Sequence, residues 1–125
     1  MTSRVVVLTG ASSGIGKAAA LAFAARGDRL VLAARGEADL ASVAAACDGD
    51  PLMVATDVTR RHEVEKLAEA AVDRFGRIDI WVDSAAVMAY GRFEDVPATV
   101  FDKVVTTDLL GTANVARSAL RRFRA

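Results

Sequence analysis

One cysteine, one histidine, two prolines and no surplus of charge mark this 125-residue sequence first by what it lacks. With Cys47 alone, neither an internal disulfide nor a thiolate metal cluster can form. Its spacing from Leu40, Val43 and Ala44 puts it on the apolar face of a helix, where a thiol packs as a small, inert hydrophobe. His62, between Arg61 and Glu63, stands near the start of a polar helical face and reads as a solvated residue rather than a ligand or a base. The 16 basic and 16 acidic residues cancel, so no field of one sign recommends nucleic acid or an anionic membrane as partner. No run approaches the roughly 20 apolar residues of a membrane span. Met1-Thr2-Ser3-Arg4 lacks a charged region followed by a long apolar one, and the expectation is a cytoplasmic protein with a small, specific ligand.

What is present is a core. Hydrophobic residues make up 53% of the chain, enough for one globular domain over residues 1–125. Short apolar runs at 4–9, 29–34, 51–56 and 78–82 alternate with helical patterns. The first helix is predicted from Gly14 to about Arg26, stopped by Gly27, with an alanine-rich face carrying Ile15, Leu21 and Phe23 toward a sheet. The second spans Glu37 to Cys47. The third has Val64, Leu67, Ala68, Ala71, Val72 and Phe75 at helical spacing, with Thr59 placed to cap its start and Gly76 its end. Because the first three runs are apolar at nearly every position, both faces of their strands need cover. That predicts an α/β fold with a doubly wound parallel sheet, Rossmann-like. The stretch 84–97 is non-periodic and follows the fourth strand, at the end where such sheets bind ligands.

The segment Thr9-Gly10-Ala11-Ser12-Ser13-Gly14-Ile15-Gly16 joins the first strand to the first helix. Helix-start N–H groups are unsatisfied and carry partial positive charge, so they attract phosphate. Gly10 permits the tight turn, Gly14 lets backbone approach a pyrophosphate, Gly16 lets helix pack on strand, and the Ser12 and Ser13 hydroxyls can add hydrogen bonds. A mononucleotide P-loop fails on spacing, since five residues rather than four separate Gly10 from Gly16 and Lys17 is followed by Ala18. A dinucleotide site is therefore expected. An acid at the end of the second strand would accept from the 2′-hydroxyl of NAD. The chain has Ala33-Ala34-Arg35-Gly36 there, with carboxylates deferred to Glu37 and Asp39. Arg35 is a planar donor fork suited to a phosphate, which favours NADP(H) over NAD(H).

These residues carry a resemblance to the short-chain dehydrogenases/reductases, whose Thr-Gly-x-x-x-Gly-x-Gly signature residues 9–16 match. The resemblance runs along the whole chain. Asp57-Val58 is similar to the family's adenine-contacting pair and residues 76–82 to its fourth strand. The segment 83–87 stands at its Asn-Asn-Ala-Gly loop, which borders the cofactor; Asp83, Ser84 and Ala86 depart from that pattern and Ala85 is retained. Residues 104–112 are similar to the helix bearing the family's catalytic asparagine, and the matching position, the candidate catalytic residue here, is Asp108. Asp for Asn deletes an amide donor and adds a negative charge. The resemblance implies carbonyl reduction or alcohol oxidation, in which a Ser and a Tyr-x-x-x-Lys pair move the proton opposite hydride transfer.

That pair is missing from these 125 residues. Tyr90 is the sole tyrosine, and Glu94 stands four residues after it. The resemblance places Tyr90 on the substrate-side wall and covers the cofactor half of a family member, truncated after the fourth strand and its following helix. Two functions stay open: the coenzyme-binding part of an NADP-dependent oxidoreductase, inactive as this isolated chain, or a complete non-catalytic dinucleotide-binding module such as a sensor, a decayed homologue or a cut-down scaffold. An S-adenosyl ligand is a weaker third, opposed by Arg35 and Asp57-Val58. Residues 78–82 would form an apolar strand edge, and Leu109, Leu110, Val115, Leu120 and Phe123 cover more than one face of the final helix, so self-association through either is expected.

Overall fold

The computed structural model describes residues 3–125; Met1 and Thr2, part of the N-terminal segment read above, lie outside the described residues. Strands β1 (Val5–Thr9), β2 (Arg29–Ala34), β3 (Leu52–Ala55) and β4 (Ile80–Asp83) alternate with helices α1 (Gly14–Ala25), α2 (Glu37–Ala46) and α3 (Arg61–Phe75). After β4 a loop with a 3-10 turn at Phe93–Asp95 leads to α4 (Ala98–Val104), which runs through a π-helical segment (Val105–Gly111) into α5 (Thr112–Phe123). The four strands are parallel in the order β3-β2-β1-β4. The chain thus winds outward from β1 in both directions and leaves a switch point between β1 and β4, where open α/β sheets form their ligand crevice.

The period-2 alternation of a strand sorts the apolar side chains onto two faces. Val6, Leu8, Leu30, Leu32 and Ala34 meet α1 and α2 through Ala20, Ala24, Leu40 and Val43, with Cys47 buried at the margin. Val7, Val31 and Ala33 meet α3 through Leu67, Ala68 and Ala71. A third cluster, Val58, Val64 and Val115, joins α3 to α5 below the end of β3. Burial pushes the Cys47 thiol up, with the Asp48 charge adding to it, which keeps it protonated and inert.

Several expectations need correction. Ile15 is 79% exposed and turns away from the sheet, because it sits in the first turn of α1, beyond the strand ends. Two-sided cover fails at β3, an edge strand whose Met53 is 47% exposed. Thr59 does not cap α3: its N–H and Oγ1–H both donate to Asp57 Oδ1, at 3.0 and 2.7 Å, and Arg60 takes the N-cap position without a side-chain cap bond. Gly76 ends the helix as expected, in the left-handed region at φ 86°, its N–H donating to Val72 at 2.7 Å. Ile78 precedes β4 and is 5% exposed. Trp81 is half-buried against the α3-side clusters, and its Nε1–H donates to Thr9 Oγ1 at 3.4 Å. No helix among the described residues is long and apolar enough to cross a membrane.

Candidate functional site

The glycine turn is assembled by three strands. Gly10, at φ 76°, and Ala11 both donate N–H bonds to Ala33 of β2, at 2.9 and 3.1 Å. From the other side, Ser84 Oγ donates to the carbonyls of Thr9 and Gly10, at 2.9 and 3.2 Å, and the Ser84 N–H pairs with Thr9. A Cβ on Gly10 would meet Ala85 N at 2.5 Å, and one on Gly16 would collide with the Gly10 carbonyl and the Ser84 hydroxyl. Gly14 differs: it has φ 53°, and nothing lies within 4 Å of where its Cβ would be. Gly10 and Gly16 therefore serve internal packing, while Gly14 leaves the backbone open to an approaching group. Ser13 caps α1 without a side-chain bond, so its hydroxyl is uncommitted. An uncommitted hydroxyl, an open glycine and the unsatisfied N–H groups of a helix start are a cradle that fits a pyrophosphate.

Above this turn lies a cleft of about 580 Å³. Its floor is Gly10, Ser12, Ser13, Gly14 and Ile15; one end is formed by Ala33 to Gly36 with Thr56, Asp57 and Val58, the other by Val82 to Ala86 with Met88 and Thr107. Every residue read as cofactor-binding is thus brought together there except Gly16, which lies beneath and is buried. Thr56, Met88 and Thr107 were missed. Thr56 is buried and bonded within its own strand end, and Thr107 reaches the cleft through a π segment that no sequence pattern announces.

At the β2–β3 end, exposed Arg35 lies near Asp57. Burial raises the Asp57 carboxyl, but the two Thr59 hydrogen bonds and the Arg35 and Arg60 charges outweigh it and hold the group below the usual carboxylate range. Its N–H donates to Glu63 Oε1 at 3.0 Å, tying the strand end to α3. Val58 is buried, and its carbonyl accepts from Asn114 Nδ2 at 2.9 Å, fixing α5 beneath the cleft.

At the β4 end, Asp83 Oδ1 accepts from Thr9 Oγ1 at 2.8 Å and from the Ala85 N–H at 3.4 Å. Asp108 Oδ1 accepts from the Val87 N–H at 2.9 Å, which anchors the loop after β4; Asp108 itself does not line the cleft. Both aspartates act as acceptors, a role an asparagine carbonyl could fill equally, so the loop keeps its shape while gaining charge. Tyr90 is 83% exposed and outside the cleft lining, its hydroxyl 3.6 Å from Met88 Sδ. No basic group is bonded to it among the described residues.

The family model described as short chain dehydrogenase matches residues 4–125. An uncharacterised oxidoreductase of Staphylococcus haemolyticus is 36% identical over 126 residues, covering 100% of this chain and 54% of its own. Levodione reductase superimposes with a TM-score of 0.92 at 33% identity, over 99% of this chain and 50% of that one. An alcohol dehydrogenase from Thermococcus sibiricus, complexed with 5-hydroxy-NADP, has a TM-score of 0.89 at 29% identity over 97% and 53%. A 3-ketoacyl-(acyl-carrier-protein) reductase from Brucella melitensis, complexed with NADH, has a TM-score of 0.89 at 30% identity over 96% and 50%. The chain spans about half the length of the relatives it matches.

Proposed function

The chain belongs to the short-chain dehydrogenase family, and on that premise we propose that residues 1–125 form the NADP(H)-binding part of an oxidoreductase that interconverts carbonyls and alcohols. The observation that carries this reading is the cleft itself, with an open Gly14 over a helix start at its centre and Arg35 at the end of β2. The pyrophosphate is assigned to the Gly10–Ile15 turn. The adenosine half then lies toward β2 and β3, with the 2′-phosphate on Arg35 and adenine beside Asp57 and Val58. The nicotinamide half lies toward β4, over Ser84, Ala85 and Ala86. When bound, the nicotinamide supplies hydride transfer; the protein residues named here bind and orient it.

One charge-assisted contact contributes about 1.5–3 kcal/mol, so Arg35 should favour NADPH over NADH by about 10- to 150-fold. Titration of both reduced coenzymes into wild type and Arg35→Ala tests this, and equal binding before and after the substitution would sink the 2′-phosphate assignment. The second reading, a binding module without turnover, draws on the aspartates at two asparagine positions. The pure 125-residue chain is expected to consume no NADPH with ketones or aldehydes. Consumption abolished by Tyr90→Phe would identify Tyr90 as the acid instead.

A further inference from the structure

The charge along the cleft is polarised. Three ionisable side chains line it among the described residues: Arg35, Asp57 and Asp83. Arg35 and Asp57 stand together at the β2–β3 end and offset each other, with Arg60 and Glu63 behind them as a second balanced pair. Asp83 stands at the β4 end, and Asp108 lies behind the same loop; neither makes an ion pair among the described residues. Asp83 is half-buried, with Oδ1 occupied by Thr9 and Ala85 and, among the described residues, no hydrogen bond to Oδ2. The β4 end therefore carries uncompensated negative charge in a partly dehydrated cleft.

The geometry points to a redox-state preference: this site holds the oxidised nicotinamide dinucleotide more tightly than the reduced one, with Asp83 as the main discriminating residue and Asp108 assisting. The inference rests on the orientation given above, which puts the nicotinamide half toward β4. The adenosine, ribose and phosphate groups are common to both redox states, so only groups near the ring can separate them. The oxidised ring carries a positive charge and the dihydro ring is neutral. Nearby carboxylates attract the first and are indifferent to the second. At separations of several ångströms in an environment between protein and water, the attraction corresponds to about a three- to tenfold difference in affinity. A tenfold preference lowers the potential of the bound two-electron couple by about 30 mV, which makes the reduced form a stronger hydride donor.

The test measures dissociation constants of NADP+, NADPH and 2′,5′-ADP for wild type, Asp83→Asn, Asp108→Asn and the double variant. The expected result is a threefold or greater preference of wild type for NADP+, falling toward one in Asp83→Asn and further in the double variant, with 2′,5′-ADP affinity unchanged. Salt supplies a second reading on the wild type alone, since raising ionic strength should shrink the preference without reversing it. If 2′,5′-ADP binds, and Arg35→Ala weakens it, but the NADP+ to NADPH ratio is the same in all four proteins, this inference is overturned and the dinucleotide reading survives. If 2′,5′-ADP fails to bind, the orientation falls and this inference with it.

Discussion

Replacing Gly16 with alanine would add one methyl group at the point where α1 crosses the end of β1. In an ordinary helix this change stabilises by about 1 kcal/mol, since alanine is the better helix former. Here the new Cβ strikes two atoms that cannot step aside. The Gly10 carbonyl is backbone, in a turn tied to Ala33 on one side and packed against Ala85 on the other. The Ser84 hydroxyl is held by the Thr9 and Gly10 carbonyls. Relief requires α1 to lift off the strand end, and overpacking of this kind costs about 1–3 kcal/mol beyond the propensity gain. A net loss of about 1–3 kcal/mol translates into a Tm lower by about 4–12 °C for a chain of this length. Thermal unfolding followed by circular dichroism measures it. In a Ser84→Ala background the penalty should shrink, because one of the two struck atoms is gone. Gly14→Ala is the contrast: it meets open space, so its stability cost is the strain of φ 53° alone, about 1–2 kcal/mol. Its larger effect should fall on dinucleotide binding. A Gly16→Ala protein that melts at or above the wild-type temperature would refute the packing argument.

Acid should destabilise the fold through Asp57, held low as described above, and through two further carboxylates. Asp28 is held below the usual range chiefly by its hydrogen bond from Arg4, and Asp79 chiefly by the Val5 N–H, 2.8 Å from its Oδ2. Both folded values lie beneath the unfolded value of about 3.8, so their contribution is full above that pH and is lost as pH falls through the folded values. Urea midpoints between pH 6 and 2 should fall mainly below about pH 4; an unchanged acid limb in Asp28→Asn and Asp79→Asn would assign it elsewhere. The 125-residue chain is further expected to self-associate, since Leu109, Leu110, Leu120 and Phe123 are each about half exposed or more and β4 pairs with β1 alone among the described residues. Light scattering on wild type and Leu109→Lys decides this; Trp81→Lys would be a poor probe because half-buried Trp81 packs against the α3-side clusters and its loss would disturb the fold. A monomer at high micromolar concentration would contradict the expectation.

The sheet and its helices were legible because burial writes itself into periodicity. The uniform apolar runs of β1 and β2 could only be central strands, and the 3.6-residue spacing of Val64, Leu67, Ala68 and Ala71 could only be one face of a helix. The same rule overreached at β3, where an apolar run ended at the sheet edge, and at Ile15, which is apolar yet exposed where the cleft lies. Residue type told where charge would sit, as with Arg35 and Asp83, but not which bonds it would make. Thr59 looked like a helix cap and instead bonds Asp57; Ser84 stood where the pattern asks for asparagine and proves to hold the glycine turn in place. Such local competitions between side chain and backbone are decided by fractions of an ångström, which sequence spacing does not encode.

The π segment at Val105–Gly111 amounts to one surplus residue accommodated inside a helix. Removing a single residue between Asp108 and Gly111 would let the backbone close into an unbroken α-helix. Each residue advances a helix by about 100°, so α4 would swing by that angle about the axis of α5. Asn114, Gly111 and Val115 would keep their seats against Val58 and α3. Thr107 would leave the cleft, and Asp108 would let go of Val87. The surplus residue is thus a phase shifter: it allows one end of a continuous helix to obey the packing of the core while the other obeys the needs of the cleft, and a one-codon deletion would separate those two demands without unfolding either end.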